Sequence, residues 1–228
     1  MHFVLMLTEQ DRTIPDAVDV YREVSDLDGL GYVAFKDSGL GVPALRELVR
    51  SIHADRRQAI LEVTAEHLDD ERRMFDLGVD LGVDQIVGGS ELLASEVGDD
   101  APVAYWPFVG EMRGIPLRLA SGPAELVDSV RRLSAVPAVA GLMAMPYRQE
   151  RHRPEDLLRS ITSASDLPVL VAGGISQPGH VRSLEQHGAW GFTVGGAVLA
   201  GRIAGQGHVR SKVEAMLRMA SSPAGVDQ

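Results

Sequence analysis

Short apolar runs rich in β-forming residues alternate along this chain with longer segments whose apolar positions recur every three or four residues. The runs predict strands over 3–7 (FVLML), 31–36 (GYVAFK), 58–63 (QAILEV), 84–88 (DQIVG), 117–121 (LRLAS), 139–145 (VAGLMAM), 168–173 (PVLVAG) and 190–195 (WGFTVG). Between them lie helical patterns such as VPALRELVRSIHA, PAELVDSVRRLSA and RPEDLLRSITSA, several opening on proline or an acidic residue. Successive strands start about 22 to 33 residues apart, one βα unit each. Eight such units predict a single (β/α)8 barrel over residues 1–228, with an open doubly wound sheet as the alternative.

One segment breaks the rhythm. APVAYWPFVGEMRGIP (101–116) has no helix after YWPFVG, whereas a clear helical pattern follows LRLAS. The expectation is a long loop over the C-terminal face, where barrel enzymes carry their sites. Its Tyr105, Trp106 and Phe108 would either cover a substrate, form a hydrophobic plug or make a subunit contact, which leaves a homo-oligomer open. The tail, about 219–228, reads as frayed.

Side chains two apart on a strand share a face. That counting turns Lys36, Glu62 and Arg118 inward, one charge from each of the second, third and fifth strands. Buried charges must be paired or functional. Either the three form an ion network that fills the barrel, or they form a site in which Glu62 moves a proton beside a carbonyl. Lys36 would then stabilise the enediolate or attack as a Schiff base. Asp37 is a second candidate acid at the rim, although a turn role beside Ser38 and Gly39 competes. Tyr147 and Arg148, past the sixth strand, are candidates to hold a substrate carboxylate or phosphate.

The sharpest motif is a pair: LVAGGIS at 170–176 and FTVGGAVLAG at 192–201. Each ends a β-rich run in Gly-Gly, which lets backbone N–H groups approach an anion with no Cβ in the way. These motifs resemble the closing quarter of the phosphate-binding TIM barrels, the superfamily of ribulose-phosphate epimerase, thiamine phosphate synthase, N-acylmannosamine-6-phosphate epimerase and the histidine-biosynthesis barrels. The resemblance implies a small phosphorylated ligand held at Gly173, Gly174, Ile175, Gly195 and Gly196. It names no reaction. The decarboxylase branch resembles a D-x-K-x-x-D strand, where Ala34, Lys36 and Gly39 leave both acids missing; no histidine cluster for a metal-dependent epimerase assembles at strand ends.

Composition narrows the partners. A net charge of −10 gives no footprint for nucleic acid or anionic lipid, and zero cysteines removes thiolate chemistry. No apolar run reaches membrane-span length, and FVLML lacks the basic flank of a signal peptide, so a cytoplasmic soluble protein is expected. The leading expectation is a metal-independent isomerase, epimerase or carbon–carbon lyase without a cofactor. An FMN-binding barrel and a non-catalytic barrel for a phosphorylated metabolite are the alternatives.

Overall fold

The computed structural model describes residues 1–114, 116–200 and 208–221. Eight parallel strands line the barrel: β1 His2–Met6, β2 Tyr32–Phe35, β3 Gln58–Val63, β4 Gln85–Gly88, β5 Ala104–Trp106, β6 Leu142–Ala144, β7 Val169–Val171 and β8 Gly191–Val194. Their ladder runs β6-β7-β8-β1-β2-β3-β4-β5. Isolated bridges Tyr105↔Val139 and Phe108↔Met143 close the ring between β5 and β6, helped by Met143 N–H donating to Pro107 O at 2.9 Å. The fold is the expected (β/α)8 barrel.

Helices α1 Ala17–Val24, α2 Val42–Ala54, α3 Leu68–Leu81, α4 Glu91–Ala94, α5 Pro123–Ser134, α6 Pro154–Thr162, α7 Pro178–Gln186, α8 Gly196–Leu199 and α9 His208–Ser221 follow in chain order. Proline stands in the first turn of α2, α5, α6 and α7, where its missing N–H costs no intrahelical bond. The strand alternation sorts the core into two layers. Phe3, Leu5 and Leu7 pack outward with the helices, while Val4 and Met6 join Ala34, Ile60, Val87 and Met143 in the barrel interior.

The fifth strand differs from the sequence expectation. YWPFVG supplies β5 and the closing residues, and 117–121 is no barrel strand: Arg118–Leu119 pairs antiparallel with Met112–Arg113 in a hairpin beyond β5. Trp106 and Phe108 are therefore interior packing and not a surface lid. Trp106 fits because residue 141 is glycine; a Cβ there would lie 2.4 Å from the indole. Toward the N-terminal end, Trp190 packs against Trp106 at 4.9 Å and stacks on His2 at 4.4 Å between ring centroids. Aromatic rings, not an ion network, fill that half of the barrel. The expected frayed tail begins inside α9, which continues through Ser221; 222–228 lie outside the described residues. No helix among the described residues is long and apolar enough to cross a membrane.

Candidate functional site

Just past the end of β2, Lys36 continues the inward face of Tyr32 and Ala34 and is 3% exposed. Glu62 follows Ile60 on the inward face of β3 and is 7% exposed. Lys36 Nζ lies 3.8 Å from Glu62 Oε1, and it donates to Thr64 Oγ1 at 3.0 Å and to Asp11 Oδ1 at 3.1 Å. Thr13 fixes the lysine's backbone, its hydroxyl accepting from Lys36 N–H at 2.8 Å and donating to Lys36 O at 2.7 Å. Three side-chain oxygens thus surround Lys36 Nζ, two of them within hydrogen-bond distance. Burial pushes the Glu62 carboxyl above its ordinary range; Lys36 opposes this and Asp11 adds to it.

Asp11 carried no signal in the sequence. It sits in a two-residue turn joining the short strands Thr8–Glu9 and Arg12–Thr13, after β1. Gln10 and Asp11 both adopt left-handed backbone, φ 49° and 59°, the geometry of a tight hairpin turn that usually takes asparagine or glycine. Such strain costs of order 1 kcal/mol or more per residue. The hairpin docks on the loop after β2 through Thr13 N–H to Ser38 O at 2.9 Å. Glycine is required opposite it: Gly39 has φ +98°, and a Cβ there would lie 2.0 Å from Thr13 O.

These groups open into a cavity of about 650 Å³ at the C-terminal mouth. Its opposite wall is formed by the two glycine pairs, with Ile175 beside them. Gly173 and Gly174 are left-handed at φ +75° and +76°, while a Cβ on Gly196 would meet open space. The N–H groups of Gly174, Ile175, Gly196 and Ala197 donate to no backbone carbonyl among the described residues. Arg148 lies across Gly173, 2.6 Å from where its Cβ would be, and also lines the cavity. Its Nε is buried without a hydrogen-bond partner. A cation and a set of unused N–H donors thus face the same space as Lys36 and Glu62.

Three predicted residues are placed elsewhere. Arg118 is not inward: it is exposed on the 112–119 hairpin and pairs with Glu150 at 3.2 Å. Tyr147 does not line the cavity; it packs on His180 with ring centroids 4.8 Å apart, and its Cβ crowds Gly174. Asp37 is half-buried outside the lining, with burial raising its carboxyl. The charges that accompany Lys36 and Glu62 come instead from Asp11 and Arg148.

Structural comparison places the chain among (β/α)8 barrels. Orotidine 5′-phosphate decarboxylase from Pyrococcus horikoshii OT3 superposes with a TM-score of 0.67 at 15% identity, over 97% of this chain and 100% of that one. A tryptophan synthase chain from M. tuberculosis gives 0.68 at 13% identity, over 97% and 93%. Thiamine phosphate pyrophosphorylase from Pyrococcus furiosus gives 0.61 at 12%, over 96% of each. At such identities the likeness establishes the fold alone. In sequence, 54 residues are 37% identical to the 1-(5-phosphoribosyl)-5-((5-phosphoribosylamino)methylideneamino) imidazole-4-carboxamide isomerase of Cenarchaeum symbiosum (strain A). That match spans 24% of this chain and 23% of the relative. No protein-family profile matches the chain.

Proposed function

We propose that this barrel is a metal-independent enzyme acting on a small phosphorylated carbonyl compound, by proton transfer beside the carbonyl or by carbon–carbon cleavage. One observation carries the reading: the glycine-lined wall with Arg148 and the buried Lys36–Glu62 pair open into a single cavity. The N–H groups of the two glycine pairs and the Arg148 guanidinium suit a phosphate. Glu62, whose carboxyl is raised by burial, is suited to take a proton from carbon near neutral pH. The Lys36 ammonium then stabilises the oxygen on which negative charge develops. Its three oxygen neighbours favour this role over nucleophilic attack. The solved structures similar in fold include proteins named for orotidine 5′-phosphate and thiamine phosphate, which supports a phosphorylated substrate.

The test is proton exchange in D2O, followed by NMR with dihydroxyacetone phosphate and ribulose 5-phosphate. We expect deuterium to enter beside the carbonyl with the wild type and not with Glu62→Gln. Gly196→Asp, whose side chain enters open cavity space, should abolish phosphate binding without lowering the Tm. Exchange that survives Glu62→Gln would remove the proposed base. Borohydride trapping on Lys36 would replace the electrostatic role with a Schiff base. A flavin spectrum in the purified protein would transfer the phosphate wall to FMN.

A further inference from the structure

A second cavity, about 710 Å³, opens on the same face beyond β3, β4 and β5. Thr64, which accepts from Lys36 Nζ, lines the second cavity while Lys36 lines the first, and the 112–119 hairpin borders both through Gly114 and Pro116.

The second cavity is strongly acidic, with five glutamates against two arginines in its lining. Three of the five glutamates are already engaged, and Glu66 is exposed to solvent. Arg132 clasps Glu91 through both nitrogens at 2.7 and 3.0 Å, Arg113 clasps Glu111 at 2.7 Å twice, and Glu125 accepts from Gly122 N–H at 2.6 Å. Glu71, in the first turn of α3, is different. It is 6% exposed, accepts from Ser90 Oγ at 2.6 Å, and forms no ion pair with a cation among the described residues. A buried carboxylate without a counter-charge is costly unless something supplies one.

A second orphan lies beside it. The Tyr105 hydroxyl is fully buried without a hydrogen-bond partner, directly behind Gly89 of the cavity wall: a Cβ on Gly89 would come within 2.7 Å of it. Burial and the nearby Glu71 charge both push this phenol's ionisation up.

The missing counter-charge fits an organic cation better than a metal ion. No group of three or more metal-ligating side chains exists among the described residues, and the nearby Glu91 and Glu111 are held by arginines. Phe108, Leu68 and Leu117 in the same lining offer an apolar wall for a carbon body. We propose that this cavity is a subsite for a protonated amine. The substrate is then a phosphorylated compound with an ammonium group at the end remote from its phosphate. The substrate assignment rests on the function proposed above; the amine subsite stands on its own geometry.

The test uses benzylamine, an ammonium on an apolar ring, and benzyl alcohol as its neutral counterpart, each titrated at pH 7 into 15N-labelled full-length protein. Inorganic phosphate is titrated separately. We expect benzylamine to shift the amides of Gly89, Ser90 and Gly110 and to bind at least about tenfold tighter than the alcohol. Glu71→Gln keeps the acceptor for Ser90 and should erase that preference while leaving phosphate binding unchanged. Equal affinity for amine and alcohol, or amine shifts elsewhere in the wild type, would overturn the subsite without recourse to the variant. Phosphate that fails to bind while benzylamine binds at Glu71 would overturn the phosphorylated substrate and leave the amine subsite standing.

Discussion

Lys36→Met removes the ammonium that pairs with Glu62 and leaves that carboxylate at 7% exposure with only the more distant Arg148 charge to oppose burial. Breaking a buried pair in this way commonly costs about 3–5 kcal/mol. Glu62 has a cheaper escape, which is to take up a proton. Each pH unit above its ordinary value of 4.5 makes this about 1.4 kcal/mol dearer, so the limit is about 3.4 kcal/mol at pH 7 and about 0.7 at pH 5. Burial already raises the group in the wild type, so part of that cost is present before the substitution. The loss of Asp11's partner adds less than about 1 kcal/mol, because the Asp11 side chain is 43% exposed. We expect Lys36→Met to lose about 2–3 kcal/mol at pH 7 and under about 1 at pH 5, measured by urea unfolding. Adding Glu62→Gln to Lys36→Met should recover most of the pH 7 loss, since it deletes the stranded charge. The same loss at both pH values, or a double variant no better than Lys36→Met, would refute the coupling.

Three further outcomes are expected. A Glu62 carboxyl raised in the folded state adds stability that is fully present below about pH 4.5 and is lost as pH rises through the folded value; thermal melts should show Glu62→Gln gaining on the wild type between pH 4 and 8. Gly141→Ala drives a methyl into the Trp106 ring and should cost about 2 kcal/mol, or roughly 4–8 °C of Tm, with Gly31→Ala as a control where no atom lies within 4 Å and the backbone is not left-handed. Gly39→Ala should dislodge the 8–13 hairpin from the loop after β2, read as faster tryptic cleavage after Arg12.

The barrel was legible because β1 to β4 and β6 to β8 lie in short, nearly continuous apolar runs separated by helical periods, the pattern of parallel strands buried on both faces. β5 was not. Only three residues long and ended by Pro107, it is separated from α5 by an inserted hairpin whose second strand mimics the missing element. That substitution misplaced Arg118. Lys36 and Glu62 were legible as inward charges because their strands were read in the correct register. Asp11 reaches Lys36 across 25 positions of sequence, through a turn with no glycine or asparagine to announce it. The orphaned Arg148 Nε and the unpaired Glu71 likewise depend on tertiary neighbours that no local pattern encodes.

Position 11 asks for two different residues. A glycine there would relax the left-handed turn and stabilise the hairpin, yet it would remove one of the oxygens that hold the Lys36 ammonium. Selection for heat resistance alone would therefore drift away from aspartate. A variant library sorted once for melting temperature and once for turnover should diverge at this residue before it diverges in the barrel wall, which makes the turn a marker of the point at which robustness and activity separate in this chain.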